Sequence, residues 1–139
     1  MSKQYKLIVS AIILNDQGQV LLGKRSMSEE SFPGMWGVPG GTVDAEETTD
    51  NIIEDTLIRE SEEEMGITIK PLNYLESSCR VKNDVAKVYM IFTAKHVSGE
   101  PQALEDTDAV QWWNISDLKE DEVTPGVFKI LTERAHLLR

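Results

Sequence analysis

Cysteine is almost missing from this chain: Cys79 is the single one among 139 residues. One thiol cannot close an intramolecular disulfide, and it does not supply a thiolate zinc site. Cys79 reads as a half-buried strand residue. Basic charge is also scarce. Fourteen Lys and Arg stand against 24 Asp and Glu, a formal net charge of −10. A surface this acidic argues against DNA or RNA as a polymer partner, because phosphate backbones need basic stripes. It leaves room for a small phosphorylated ligand held by a metal and a few local cations. His96 and His136 are the only imidazoles; they lie far apart and read as structural or solvent-facing. Long apolar runs are lacking too. Leu7 to Leu14, interrupted by Ser10, is far too short to span a bilayer, and the N-terminus has no signal-peptide order. The expectation is a cytoplasmic protein without a membrane partner.

What is present suffices for one core. Hydrophobic residues make up 40% of the chain, too many for a disordered segment, and the length suggests a single domain over 1–139. Leu7 to Leu14 is β-branched and apolar and reads as a buried strand. Asn15-Asp16-Gln17-Gly18 is a turn signal, and Val20 to Lys24 resumes as a strand, so a hairpin is expected. A polar loop from Ser26 to Met35 leads to the short extended piece Trp36-Gly37-Val38-Pro39. A helix is expected to start near Thr48 to Asp50 and to stop at Gly66, with Ile53, Leu57 and Met65 on its apolar side and Ser61 interrupting that series. Ile67 to Leu75 and Val85 to Lys95 read as strands around the turn Asn83-Asp84. Ala109 to Trp113 is a short strand whose two tryptophans face opposite ways. The last helix is expected from Thr124 as N-cap and Pro125 as N1 to about Leu138. Strands, helix, strands, helix is the order of a mixed α/β sandwich.

The chemistry concentrates in Gly40-Gly41-Thr42-Val43-Asp44-Ala45-Glu46-Glu47 and in Arg59-Glu60-Ser61-Glu62-Glu63-Glu64-Met65-Gly66-Ile67. Glu60, Glu63 and Glu64 are spaced i, i+3 and i+4, which stacks them on one helix face. Carboxylates so close repel each other unless a cation lies among them. A hard, oxygen-seeking ion such as Mg²⁺, or Mn²⁺ in its place, is the natural occupant. A glycine pair lets backbone approach such a site closely, and Arg59 can orient a carboxylate through a charge-assisted bond.

With these residues the chain resembles the Nudix hydrolases, whose box is written G-x5-E-x7-R-E-U-x-E-E-x-G-U with U apolar. Gly41 and Glu47 match its first part; Arg59, Glu60, Glu63, Glu64, Gly66 and Ile67 match its last. Trp36-Gly37-Val38-Pro39-Gly40 is similar to the usual lead-in, and the order of elements is similar to the MutT-like subgroup. The resemblance implies a Nudix-type α/β/α sandwich, with a mixed β-sheet between helices, and metal-dependent hydrolysis of a phosphoanhydride. It implies Gly40, Glu60, Glu63 and Glu64 as metal ligands, Gly40 through its carbonyl. It makes Glu63 or Glu105 the general base, with Glu64 and Arg59 also catalytic. The expected substrate is a nucleoside diphosphate linked to another group, foremost a nucleoside triphosphate cleaved to monophosphate and pyrophosphate. A homodimer is consistent with many relatives.

Two departures stand out. Eleven residues separate Glu47 from Arg59 where the pattern has seven. The excess of four is near one helical turn, so an added turn would keep the carboxylate face aimed, while Glu47 would fail to reach Arg59. Ser61 stands where an apolar residue is usual and should cost some packing.

Arg25, at the end of the second strand, is a candidate for substrate phosphates, with Lys24 pointing to the other face. Arg80 and Lys82 are weaker candidates. Phe32, Trp36 and Tyr89 could stack on a base, and Thr124 begins the helix where related enzymes read the base. Asp84 and Asp106 read as turn residues. The alternatives are a Nudix-like nucleotide sensor without turnover, an isoprenoid diphosphate isomerase, for which Cys79 alone is weak support, and an acidic interaction module, which would leave the Gly pair and Arg59 unexplained.

Overall fold

The structure is a computed structural model that describes residues 4–138; residues 1–3 and 139 of the expected 1–139 span lie outside the described residues. Seven strands, β1 (Gln4–Leu14), β2 (Val20–Arg25), β3 (Trp36–Gly37), β4 (Gly40–Thr42), β5 (Thr68–Lys82), β6 (Val85–Ser98) and β7 (Thr107–Trp113), accompany two helices, α1 (Ile52–Met65) and α2 (Pro125–Glu133). The strands form one mixed sheet in the order β3-β2-β1-β6-β5, with β4 joined to β1 and β7 to β2. β1 and β6 run parallel; the other pairings are antiparallel.

Side-chain alternation on the strands divides the core in two. Val9, Ala11 and Ile13 of β1 are buried with Leu57 and Met65 of α1 on one face. Ile12, Val20 and Leu22 are buried with Val127, Ile130 and Leu131 of α2 on the other. Trp112 packs with the first group and Trp113 with the second, as their alternation requires. The sheet between two helices is the expected α/β/α sandwich.

Several boundaries differ from the sequence expectations. The β1–β2 hairpin exists only where Leu14 meets Val20. Along the rest of its length β1 is hydrogen-bonded to β6 on one side, and to β4 from Ile8 to Ser10 on the other. The turn itself is as read, with Asn15 Oδ1 accepting the backbone N–H of Gln17 and Gln19 at 3.0 and 2.9 Å. β5 continues past Leu75 to Lys82 because Asn83 and Asp84 both take positive φ, 51° and 62°, and close a two-residue hairpin onto β6. Cys79, on this extension, is exposed rather than half-buried. α2 stops at Glu133, short of Leu138, and a 3-10 turn over Ala135–Leu137 follows.

α1 has no Thr or Asp cap. Its N-cap is Asn51 in the left-handed region, with no side-chain capping bond. Gly66 ends the helix as read, at φ 66°, its N–H donating to the Glu62 carbonyl. The helix therefore begins at Ile52, and Thr48, Thr49, Asp50 and Asn51 are loop. Counted from Ile52, seven residues precede Arg59, so the four-residue excess lies in the loop and no helical turn has been added.

Ser61 is fully buried, and its hydroxyl donates to the Leu57 carbonyl at 2.8 Å. The site is sized for a small side chain. Ser61→Leu should lower stability by about 1–3 kcal/mol through overpacking, and Ser61→Ala by about 1 kcal/mol or less. Urea unfolding measures both, and an increase in midpoint for Ser61→Leu would refute the packing account.

Candidate active site

One cleft of about 220 Å³ lies where β2 ends, where β3 passes into β4, and where α1 turns its acidic face. It is bordered by Lys24 and Arg25, by Gly37 to Gly40, by Glu60 and Glu64, and by Glu105 to Thr107. Each element arrives there for a local reason. Gly40 and Gly41 pair with Ser10 and Val9 of β1, and side chains at these glycines would collide with what surrounds them. A Cβ on Gly41 would sit 2.5 Å from Glu60 Oε1. The glycine pair thus lets α1 press its carboxylates against β4.

Glu64 is the group most changed by this packing. Its Oε2 accepts the backbone N–H of Gly40 at 3.0 Å. Burial pushes its carboxyl from an ordinary 4.5 up to about 8; the Gly40 N–H and the charge of Arg25 oppose that shift, while Glu60 and Glu105 add to it. Glu60 is also raised, first by burial and then by its acidic neighbours, with Arg59 working against the shift. Arg59 holds two carboxylates of its own helix, Glu60 through Nη2 at 3.2 Å and Glu63 through Nε at 3.7 Å. Glu63 is accordingly turned to Arg59 and does not border the cleft.

Opposite the acids stands Arg25. Its Nε donates to the Ser31 carbonyl at 2.8 Å, and its Nη2 lies 3.4 Å from Glu29. A bulge between Lys24 and Arg25 breaks the β2–β7 register. Bulges at a strand end re-aim side chains next to sites. Lys24 pairs across from Trp36, on the side that packs α2, as period two requires, yet it also borders the cleft.

Of the residues singled out in the sequence, Arg25, Gly40, Glu60, Glu64 and Glu105 border this cleft, whereas Phe32, Trp36, Tyr89 and Thr124 do not. Trp36 packs edge-on against Trp113 at 5.3 Å, inside the α2 core. Phe32 is 49% exposed on the loop after β2. Thr124 occupies the N-cap position of α2 without a side-chain capping bond and lies against Gly37. Glu47 sits on the loop before α1 with Asp44, Glu46 and Thr49, and pairs with no arginine among the described residues. The sequence reading missed Glu29, Asp106 and Thr107 as cleft residues. Asp106 is a turn residue, at φ 52°; nothing in its local pattern says that the turn faces the acids. His96 is structural, its Nε2 2.8 Å from the Gly99 carbonyl and its ring against Trp112.

Among the described residues no three acidic, imidazole or thiol side chains converge tightly enough to enclose an ion by themselves. The donor set nevertheless suits a hard divalent cation. Glu60, Glu64 and Glu105 border one cleft, where Glu60 and Glu105 disfavour the ionisation of Glu64 and Glu105 disfavours that of Glu60, and Mg²⁺ commonly keeps several water ligands beside one or two carboxylates.

The comparisons agree with this geometry. The model of the NUDIX domain family matches residues 4–133, so the chain belongs to the Nudix family. Nucleoside triphosphatase NudI of Klebsiella pneumoniae is 28% identical over 95% of this chain and 98% of its own. A Nudix hydrolase of Caenorhabditis elegans is 33% identical over 84% of this chain, which spans only 31% of that protein. An isopentenyl-diphosphate Delta-isomerase of Salmonella arizonae is 30% identical over 88% of this chain and 69% of its own. Among solved structures, a MutT NUDIX hydrolase of Burkholderia pseudomallei has a TM-score of 0.72 at 31% identity, covering 89% of this chain and 93% of that one. A MutT protein of Methanosarcina mazei reaches 0.76 at 25% identity, over 99% and 96%. The chain is a Nudix pyrophosphohydrolase with MutT-like neighbours. Members of this family generally use divalent metals. No described helix is long and apolar enough to cross a membrane.

Because the carboxyl of Glu64 is raised on folding, the folded chain holds a proton there that the unfolded chain has released. That contribution is complete below about pH 4.5 and is lost as pH rises through about 8. In EDTA, urea unfolding of wild type should show declining stability across this window relative to Glu64→Gln. A difference between the two that does not change with pH would overturn the assignment.

Proposed function

We propose that this cleft hydrolyses a phosphoanhydride in a nucleoside diphosphate linked to another group, with nucleoside triphosphates as the first subset to test. The observation that carries the reading is the meeting, in one cleft, of Glu60, Glu64 and Glu105 with Arg25 and Lys24. A phosphoanhydride needs charge neutralised on its oxygens and a positioned water. Glu60 and Glu64 would hold Mg²⁺, with Mn²⁺ as a substitute, and the Gly40 carbonyl would be a further ligand by resemblance to the box; Glu63, which the box also implies, would have to leave Arg59 to join them. The ion would supply charge neutralisation and a more acidic water. Arg25 would bind phosphate oxygens. Of the two general base candidates, Glu63 and Glu105, Glu105 is the one that borders the cleft, solvent-accessible at its rim. Arg59 would keep Glu60 and Glu63 oriented, since it reaches both. The similarity to a nucleoside triphosphatase over nearly the full length of both chains supports the substrate class.

The isomerase reading is less well supported, because Cys79 is exposed on the extension of β5 and does not border the cleft. The sensor reading rested on the altered Glu47-to-Arg59 spacing. Since the extra residues are loop, α1 presents its acids undisturbed, and turnover is the better reading.

The decisive experiment is phosphate and pyrophosphate release from a nucleotide panel with Mg²⁺, Mn²⁺ or EDTA. Glu64→Gln should lower kcat by about 100-fold or more with unchanged circular dichroism. Metal titration of wild type near pH 7 should also release about one proton per chain, since a carboxylate ligand must deprotonate. Full Mg²⁺-dependent activity in Glu64→Gln would sink the site assignment. No release from any compound, together with tight nucleotide binding, would move the reading to a sensor.

A further inference from the structure

Basic charge is scarce in this chain, yet the sheet register collects four of the cations at one place. Lys6 of β1 is opposite Lys87 of β6, and Lys87 is opposite Arg80 of β5. Directly paired residues on neighbouring strands project to the same face. The β5–β6 irregularities all lie before Glu76, so the register at Arg80 is regular. Lys82 follows two residues later on the same face. Strands lie about 4.8 Å apart, so the Lys6–Lys87–Arg80 row is about 10 Å wide. All four side chains are exposed. The ion pairs of the described residues involve Arg25, Arg59 and Arg134 and none of these four. Arg80 donates only to the Cys79 carbonyl, at 3.1 Å. Like charges directly opposite destabilise a sheet, and the fold of an acidic protein gives no compensating reason for them.

The row is connected to the cleft. By alternation Lys6 shares its face with Ile8, Ser10 and Ile12, the face that packs α2. Ser10 pairs with Gly40, and its Oγ would lie 3.0 Å from a Cβ on Gly40, which borders the cleft. From Ser10 to Lys6 is four residues of strand, about 13 Å. Between them lies the row Ile8–Tyr89–Ser78, with Ile8 and Tyr89 only half-buried. Along this face a polar edge at the cleft is followed by an apolar and aromatic strip and then by cations that form no ion pair among the described residues.

We propose that Lys6, Lys87 and Arg80 bind a second anionic group at the far end of the substrate. The substrate's phosphoanhydride lies in the cleft and its body lies across Ile8 and Tyr89. The substrate class is then a nucleoside diphosphate derivative that bears a further phosphate or carboxylate. This rests on the hydrolase reading and narrows it.

The test uses matched pairs that differ by one anion: NADPH against NADH, and UDP-glucuronic acid against UDP-glucose. Wild type should show a KM lower by about fivefold or more for the anionic member of at least one pair, at similar kcat. In the double variant K6Q and K87Q that preference should vanish through KM alone. The uncharged member should be processed as before, and the preference in wild type should shrink as salt is raised. Equal KM values within both pairs, or a variant that moves both members of a pair equally, would overturn the proposal. If nothing is hydrolysed the hydrolase reading fails by itself. Calorimetric binding of the same pairs then decides: a preference lost in the variant supports the cation row, and equal affinity in wild type overturns it. A single-stranded oligonucleotide that binds tighter than every small molecule, and does so through these lysines, would also overturn it in favour of a polymer ligand.

Discussion

The contact on which the site depends is the hydrogen bond from the Gly40 amide to the Glu64 carboxyl, 3.0 Å long. It ties the last turn of α1 to a three-residue strand on the edge of β1. It forms only because both elements approach without side chains between them. Gly40 and Gly41 are where a Cβ would strike β1 or Glu60. The same approach buries Glu64 and brings Glu60 and Glu105 near enough to disfavour its ionisation. Packing and electrostatics therefore oppose each other at one residue. The fold places a carboxyl where ionisation is costly, and an added cation would remove the cost. Arg59 acts on the outer side of the helix in the opposite sense, lowering the carboxyl of Glu60 against burial.

How much of this was legible depends on the range of the determining interaction. The α1 carboxylates, the Gly66 stop, the Asn83-Asp84 turn and the Thr124-Pro125 helix start are local signals, and each appears where its residues indicate. The partner of β1 was not legible. Leu7 to Leu14 looks like the first arm of a hairpin, but its long pairing is with β6, some eighty residues on, and no local pattern encodes that choice. The reach of β5 was hidden for a related reason. Residues 77–82 are mostly polar and exposed on both faces, so periodicity gives no strand signal, and pairing with β6 holds them extended.

Within the site the same distinction holds. Glu60, Glu64 and Arg25 could be picked out because motif and strand end both mark them. Glu29 and Thr107 could not, since they reach the cleft through a loop and through a strand paired with β2. Among the aromatic candidates, Trp36 is the one that the fold commits to packing. A tryptophan beside a glycine-rich segment suggests a stacking platform, but Trp36 is fixed by its backbone bonds to Glu122 and Thr124 and by its edge contact with Trp113. Those bonds join β3 to the start of α2, which gives Trp36 a packing role.

The four residues beyond the usual box spacing show why where an insertion falls matters more than its length. Four residues of helix would add about 6 Å of rise and about 40° of rotation between Glu47 and the acidic face. Four residues of loop add neither. They enlarge a loop that already leaves the sheet at β4, and closure cost grows only slowly with loop length. Asn51 accepts the left-handed conformation that starts the helix, so Ile52 onward keeps its own phase. Ile53, Leu57 and Met65 stay against the sheet, Ser61 fits the gap between turns, and Glu60 and Glu64 stay on the side facing Gly40. The register that matters is that of the helix with β4, and it is fixed at the C-terminal end by Glu64 and Gly66. Changes ahead of Ile52 therefore alter the loop that carries Glu47 and leave the acids where they were.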